Sequence, residues 1–260
     1  MTTPHVPTIL HPFESESECS MNTRTRIGPG LSLGEIVTAY PLLAREFERL
    51  DLDYCCGGER TLGEACRANG LDPQAVVIEL TARIGDDDAP APWSSMQPAE
   101  LVEHLVSTHH QYLWDELPRL DALMDKVLDV HGASHPELAE IARCYSLIRA
   151  DLEPHLMKEE RVLFPAIVQM ASTPTEVRFG FGSIENPISM MLREHDELGD
   201  ILRQVRSLTN DYTPPADGCG SYAALFAGLE LMEADTHLHI HKENNVLFPQ
   251  VLELEQLRAS

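Results

Sequence analysis

From Leu33 onward, apolar residues recur at helical spacing along almost the whole chain, and nowhere do they alternate with the period of two that marks a strand. Between Leu33 and Ile84, the segments LGEIVTAYPLLAREFERL, TLGEACRANG and DPQAVVIELTARI predict short helices. Thr61 and Asp72 are placed as N-caps and Gly70 as a stop. This is a small helical domain over residues 31–84. The stretch GDDDAPAPWSSMQP, residues 85–98, is acidic and proline-rich and reads as a linker. Beyond it lie four long helical patterns, roughly 98–130, 135–170, 187–209 and 220–255, separated by loops that carry Gly or Pro. Four such helices with short or medium connections make an antiparallel bundle, here over 99–256, filled by one apolar stripe from each helix. The predicted fold class is all-α. Residues 1–30 are rich in Pro, Ser and Thr and end in GPG, which predicts a flexible extension without a packed element.

Six polar residues interrupt the apolar stripes. His110 lies on the stripe of Val106, Leu113 and Leu117, and His155 with Glu159 on that of Ile148, Leu152 and Val162. In the second half, His195 shares a stripe with Ile188, Met191 and Leu198, and His239 with Glu243 shares one with Leu229, Met232 and Val246. A His and a Glu four residues apart differ by only about 40° around a helix, so both can meet one centre. The phrase HLMKEERVLFP, residues 155–165, returns 84 residues later as HIHKENNVLFP, residues 239–249. His110 precedes His155 by 45 residues and His195 precedes His239 by 44, so each half is a helical hairpin bearing one His and then His-x-x-x-Glu. Two such hairpins packed together form a pseudo-twofold bundle whose axis runs between the two sets of ligands, with all six residues pointing inward.

A single buried His is ordinarily satisfied by a nearby carbonyl. Two carboxylates on one internal axis are another matter: they repel and lose hydration, at several kcal/mol that a bound cation removes. Four His and two Glu exceed what one tetrahedral ion uses and suit two ions sharing carboxylate bridges. Imidazole and carboxylate ligands without thiolate favour iron, manganese or zinc. We assign two iron ions, with open positions that leave room for an oxo bridge or a small ligand. His237 and His241 are turned about 200° from His239 and are expected to face solvent, while His104 and His109 are expected to be peripheral. Pro165 and Pro249 should bend or stop their helices, and Pro154 should kink its own.

The formal charge of -23 stays negative even with all twelve histidines protonated, which argues against a nucleic-acid partner or an anionic membrane surface. No apolar run is long enough to span a bilayer, and the first residues lack the basic start and apolar core of a signal peptide, so a cytoplasmic protein is expected. Of the six cysteines, Cys55 and Cys56 are neighbours, too close for an unstrained disulfide, and reduced thiols are the expectation. Gly57 and Gly58 follow them and should free the backbone to expose both thiols as soft ligands for iron in transfer. A helix start nearby would make those thiols more acidic.

The sequence DYCCGG at 53–58, together with H-x-M-K-E-E-x-x-L-F-P at 155–165 and E-N-N-V-L-F-P at 243–249, resembles the iron–sulfur cluster repair di-iron proteins, a branch of the hemerythrin-like four-helix bundles. The resemblance covers about residues 33–255. It implies His110, His155, His195 and His239 as iron ligands with Glu159 and Glu243 bridging, the same set that the stripes select. It also implies restoration of clusters damaged by nitric oxide or peroxide, with the damaged iron–sulfur proteins as clients. Two other readings use the same centre. One is an enzyme that reduces nitric oxide or consumes peroxide, which needs open coordination positions and an electron source. The other is a reversible sensor or carrier of oxygen or nitric oxide, for which the sequence shows no output domain. The sequence leaves room for a homodimer.

Overall fold

The computed structural model describes residues 25–85, 91–175 and 177–259 and is all-α. Among the described residues, extended pairing is limited to isolated bridges, Ser32 with Thr61 and Phe179 with Gly182. The small domain contains α1 (Leu33–Ala39), α2 (Ala44–Arg49), α3 (Leu62–Ala68) and α4 (Pro73–Arg83). Ser32 and Thr61 both form capping boxes, with Glu35 and Glu64, and Asp72 accepts from Gln74 N–H ahead of Pro73, so the N-terminal amides of three helices find acceptors. Gly70 has φ +70°, the left-handed conformation that ends α3.

Four long helices form the rest. The first is α5 (Pro98–Leu105), a π turn Val106–His110, and α6 (Gln111–His131). The second is α7 (Glu137–Lys158), a π turn Glu159–Leu163, and α8 (Phe164–Ser172). The third is α9 (Glu185–Leu208) alone, and the fourth is α10 (Gly220–Lys242), a π turn Glu243–Leu247, and α11 (Phe248–Ala259). Helix α7 packs along α9, α6 along α10, and α5 against α8.

The prolines do not stop these helices. Phe164 N–H reaches back five residues to Glu159 C=O, and Phe248 N–H to Glu243 C=O, so each turn before a Phe-Pro pair is one residue wider than an α turn. Proline is not the common cause, because the turn Val106–His110 has none after it. What the three turns share is a candidate ligand within them: His110, Glu159 or Glu243. Pro154 sits inside α7 without ending it. The wider turn also shifts the register. Val162, expected in the core, is 48% exposed and Leu163 takes its place at 1%.

The apolar core comes in two parts. One contains Leu113 to Val127, Leu138 to Leu156, Leu198 to Val205 and Tyr222 to Ile240, and is continuous with the small domain. The other contains Leu101 to Leu105, Leu163 to Met170, Ile184 to Met191 and Val246 to Val251. His110, Glu159, His195 and Glu243 fall between the two parts, and His155 and His239 lie at the edge of the first, one residue before Leu156 and Ile240, so a polar layer crosses the bundle.

Two expectations about the connecting segments change. Residues 1–24 and 86–90 lie outside the described residues, but Ile27 is buried in the small-domain core and Tyr40 Oη donates to Thr25 C=O, so packing begins within the stretch read as loose. The end of the linker is also packed: Pro92–Ser95 form a 3-10 turn that buries Trp93 against the His241 ring.

Candidate metal centre

All six candidate ligands are buried: His110, Glu159, His195 and Glu243 have no exposed surface, His239 has 1% and His155 has 4%. They form two groups that share both carboxylates. The first is His110, His239, Glu159 and Glu243, and the second is His155, His195, Glu159 and Glu243. Glu159 turns Oε2 toward His110 Nε2 at 3.4 Å and Oε1 toward His155 Nε2 at 3.2 Å. Glu243 turns Oε1 toward His239 Nε2 at 3.3 Å and Oε2 toward His195 Nε2 at 3.2 Å. Each carboxylate therefore offers one oxygen to each group.

None of the four carboxylate oxygens makes a hydrogen bond, and neither do His110 Nε2 and His239 Nε2. Buried groups left in this state cost free energy that a cation would recover. His155 Nε2 and His195 Nε2 lie 3.1 Å apart, about the spacing of two nitrogens held side by side on one ion with bonds of about 2.1 Å. The donor set thus fits a pair of cations, and the chemistry of imidazole with carboxylate is consistent with iron.

The electrostatics follow from the crowding. Burial opposes a charge on His155, but Glu159, with Glu194 and Glu243, raises its pKa to about 10. Burial, and then the neighbouring His110, pushes His239 well below the ordinary range. Burial works against the Glu243 carboxylate, yet the neighbouring His195, 3.2 Å away, brings it below the usual value.

Residues behind the ligands were missed in the sequence. His110 Nδ1 pairs with Glu160 at 2.9 Å, and Glu160 also accepts from Trp114 Nε1. His155 Nδ1 pairs with Glu194 at 2.8 Å, which Lys158 neutralises in part. His195 Nδ1 pairs with Asn244 Oδ1 at 2.8 Å. His239 Nδ1 has no such partner, and the His109 ring stacks flat on it, 5.5 Å away at 5°. His109 is accordingly buried rather than peripheral, held by Asp235 at 2.9 Å and by Lys242 at 2.7 Å. The repeat carried the signal for these partners: Glu160 and Asn244 each follow a ligand Glu, and His109 and Glu194 each precede a ligand His.

His241 is correctly placed off the axis but does not face solvent. It has no exposed surface: Nε2 meets Thr38 Oγ1 at 3.1 Å and Nδ1 faces Tyr54 C=O at 3.3 Å, because the small domain covers that side of α10. His237 is also largely covered, 3.6 Å from Glu48. Next to His241, Asn245 Nδ2 donates to Cys55 C=O at 3.0 Å, and a Cβ on Gly58 would meet Asn245 Oδ1 at 2.1 Å. Gly58 thus serves close approach of the thiol loop to the bundle.

Cys55 and Cys56 lie in that loop as free thiols, Sγ to Sγ 3.8 Å apart. The expectation that both are exposed and acidic does not hold. Cys55 is 5% exposed, and its thiol is pushed well above the usual range by its hydrogen bond to Cys56 and by burial. The preceding helix ends at Arg49 and no new one begins until Leu62, so no helix N-terminus acts on the pair. Asp53 Oδ1 instead accepts from Cys56 N–H at 2.9 Å and from the Cys55 thiol at 3.3 Å. Asp53, Cys55 and Cys56 are near enough to share an ion.

Residues 101–251 match the hemerythrin HHE cation binding domain, and residues 30–83 match a domain of unknown function, DUF542. The iron-sulfur cluster repair protein YtfE of Citrobacter koseri is 36% identical over 221 residues, which cover 85% of this chain and 96% of that protein. The proteins of the same name from Escherichia coli and from an Enterobacter species are 35% identical over the same shares. No helix among the described residues is long and apolar enough to cross a membrane. With its bundle matched over most of its length and these relatives aligned across both regions, the chain belongs to the hemerythrin HHE cation-binding family, in the branch of the iron–sulfur cluster repair proteins.

Proposed function

We propose that this protein restores damaged iron–sulfur clusters by supplying iron held at the bundle axis. The observation that carries the reading is the disposition of Glu159 and Glu243, each fully buried and each presenting one unpartnered oxygen to each of two pairs of histidines. On this reading His110, His239, His155 and His195 hold two iron ions in pairs, and the two carboxylates bridge them. When bound, iron supplies an exchangeable, redox-active cation. The protein's own groups do the rest: Glu160, Glu194 and Asn244 keep three of the four rings turned inward, and the two apolar core layers exclude water on either side.

The region 99–256 then holds metal, 85–98 links, and 31–84 delivers through Cys55 and Cys56. Iron passing from nitrogen and oxygen ligands to a thiol changes no oxidation state; the thiol releases its proton to water as the metal–sulfur bond forms. Cys56, the less buried of the pair, is the first contact. Metal analysis of the purified chain should find about two irons, and the loaded protein should reactivate a nitric-oxide-damaged iron–sulfur enzyme faster than free iron does. Reactivation no faster than with free iron would sink the proposal. Cys55→Ser with Cys56→Ser should keep both irons and lose reactivation. An unchanged rate would mean that the bundle acts without the thiols.

A further inference from the structure

The two halves of the centre differ in what stands behind them. Behind His110 and His239 the wall is closed: Phe164 lies 5.3 Å from the His110 ring, and buried His109 is stacked on His239. Behind His155 the protein opens into a cavity of about 180 Å³, lined also by Pro154, Lys158 and Glu194. The ring paired with it, His195, is held by Asn244, whose amide spans two parts of the molecule. Its Oδ1 accepts from His195 Nδ1–H at 2.8 Å, and its Nδ2 donates to Cys55 C=O at 3.3 Å. In the repeat Asn244 occupies the place of Glu160, a carboxylate that can hold a histidine but has no N–H to give. An amide is the side chain that can do both.

We propose that the His155–His195 half is the gate through which metal enters and leaves, and that Asn244 is a positioning residue coupling its occupancy to the seating of the Cys55 loop. This rests on the two-ion reading above and adds which ion moves and what senses it. The outer hydrogen bonds do not make this half the weaker binder, since both of its rings are oriented by acceptors while His239 has none. The difference is one of access. Coupling is reciprocal: if a metal holds His195 inward and so helps seat the loop, a seated loop must help hold that metal by the same factor.

The test uses the full chain loaded with cobalt(II), followed by absorbance after excess chelator is added. Release should occur in two resolved phases of similar amplitude, the faster one from the His155–His195 half. His155→Gln should abolish the fast phase and His110→Gln the slow one. Iodoacetamide labelling of Cys55 and Cys56, read by mass spectrometry, should speed up when the fast ion has left. In Asn244→Asp the acceptor for His195 remains and the donor to Cys55 is lost, so two ions should still bind while labelling no longer responds to metal. A single release phase, or a fast phase removed by His110→Gln, overturns the gate. Labelling that ignores metal in the parent, or still follows it in Asn244→Asp, overturns the coupling. Neither readout involves cluster repair, so a protein that passes them and restores no cluster would refute the repair role alone.

Discussion

The phrases at 155–165 and 239–249 build the same interior and opposite exteriors. Each supplies a His, a Glu four residues on, a π turn and a Phe-Pro pair. Yet Lys158 lies half-exposed over Glu194, while its counterpart Lys242 is buried between His104 and His109 under the Trp93 ring. Val162 is 48% exposed where Val246 is 6%. Glu160 is a carboxylate and Asn244 an amide. The inward residues answer to a shared centre and are held alike, whereas the outward ones answer to their neighbours: solvent beside the first phrase, and beside the second the small domain together with Trp93, His104 and His109.

The largest expected effect tests the sameness of the interiors. Glu159→Ala and Glu243→Ala should each reduce bound metal to one ion or none, because either loss removes an oxygen from both groups. If one variant keeps two ions, the halves are not equivalent inside and the bridging reading fails for that residue.

A second comparison uses pH. With no cation bound, His155 keeps a proton up to about pH 10, so at neutral pH metal must displace it. Apparent affinity should rise with pH, about tenfold per unit for each proton displaced, and fall as the solution is acidified. His239, the counterpart in the repeat, is pushed well below the ordinary range by burial and has no such proton to lose. Isothermal titration in buffers of different ionisation enthalpy should show the slope reduced more by His155→Gln than by His239→Gln. Equal reductions would erase this distinction.

The smallest effect concerns the exteriors. His241→Ala should lower stability by about 1–3 kcal/mol, since it leaves a buried gap and strips partners from Thr38 and Tyr54 C=O. Met157→Ala, at the matching place in the first phrase, is only partly buried and should cost less. Denaturant unfolding of metal-loaded protein distinguishes them.

The helices and the six inward residues were legible because periodicity reports which way a side chain points, and Thr61, Asp72 and Gly70 act through their own local backbone. The fate of Val162 was not legible: a one-residue widening of the helix leaves no mark on a pattern read at constant pitch. His241 shows the other limit. Rotation about α10 located it off the axis, but what covers a face depends on a segment far away in the chain, 203 residues for its contact with Thr38. The thiols fall between these cases. The glycines beside them were read as freedom, whereas Gly58 is there because Asn245 leaves no room for a side chain.

The polar layer across the bundle has a consequence for how the molecule comes apart. Two apolar clusters separated by histidines and carboxylates share few of the contacts that make unfolding all-or-none, so each is a candidate cooperative unit of its own. All four helices pass through the layer, and ligands from all four meet there. A cation bound at that level therefore does more than occupy a site: it fastens one foldon to the other. Emptying it would leave the cluster of Leu101, Phe164, Ile188 and Phe248 free to exchange its amides ahead of the cluster that runs on into the small domain.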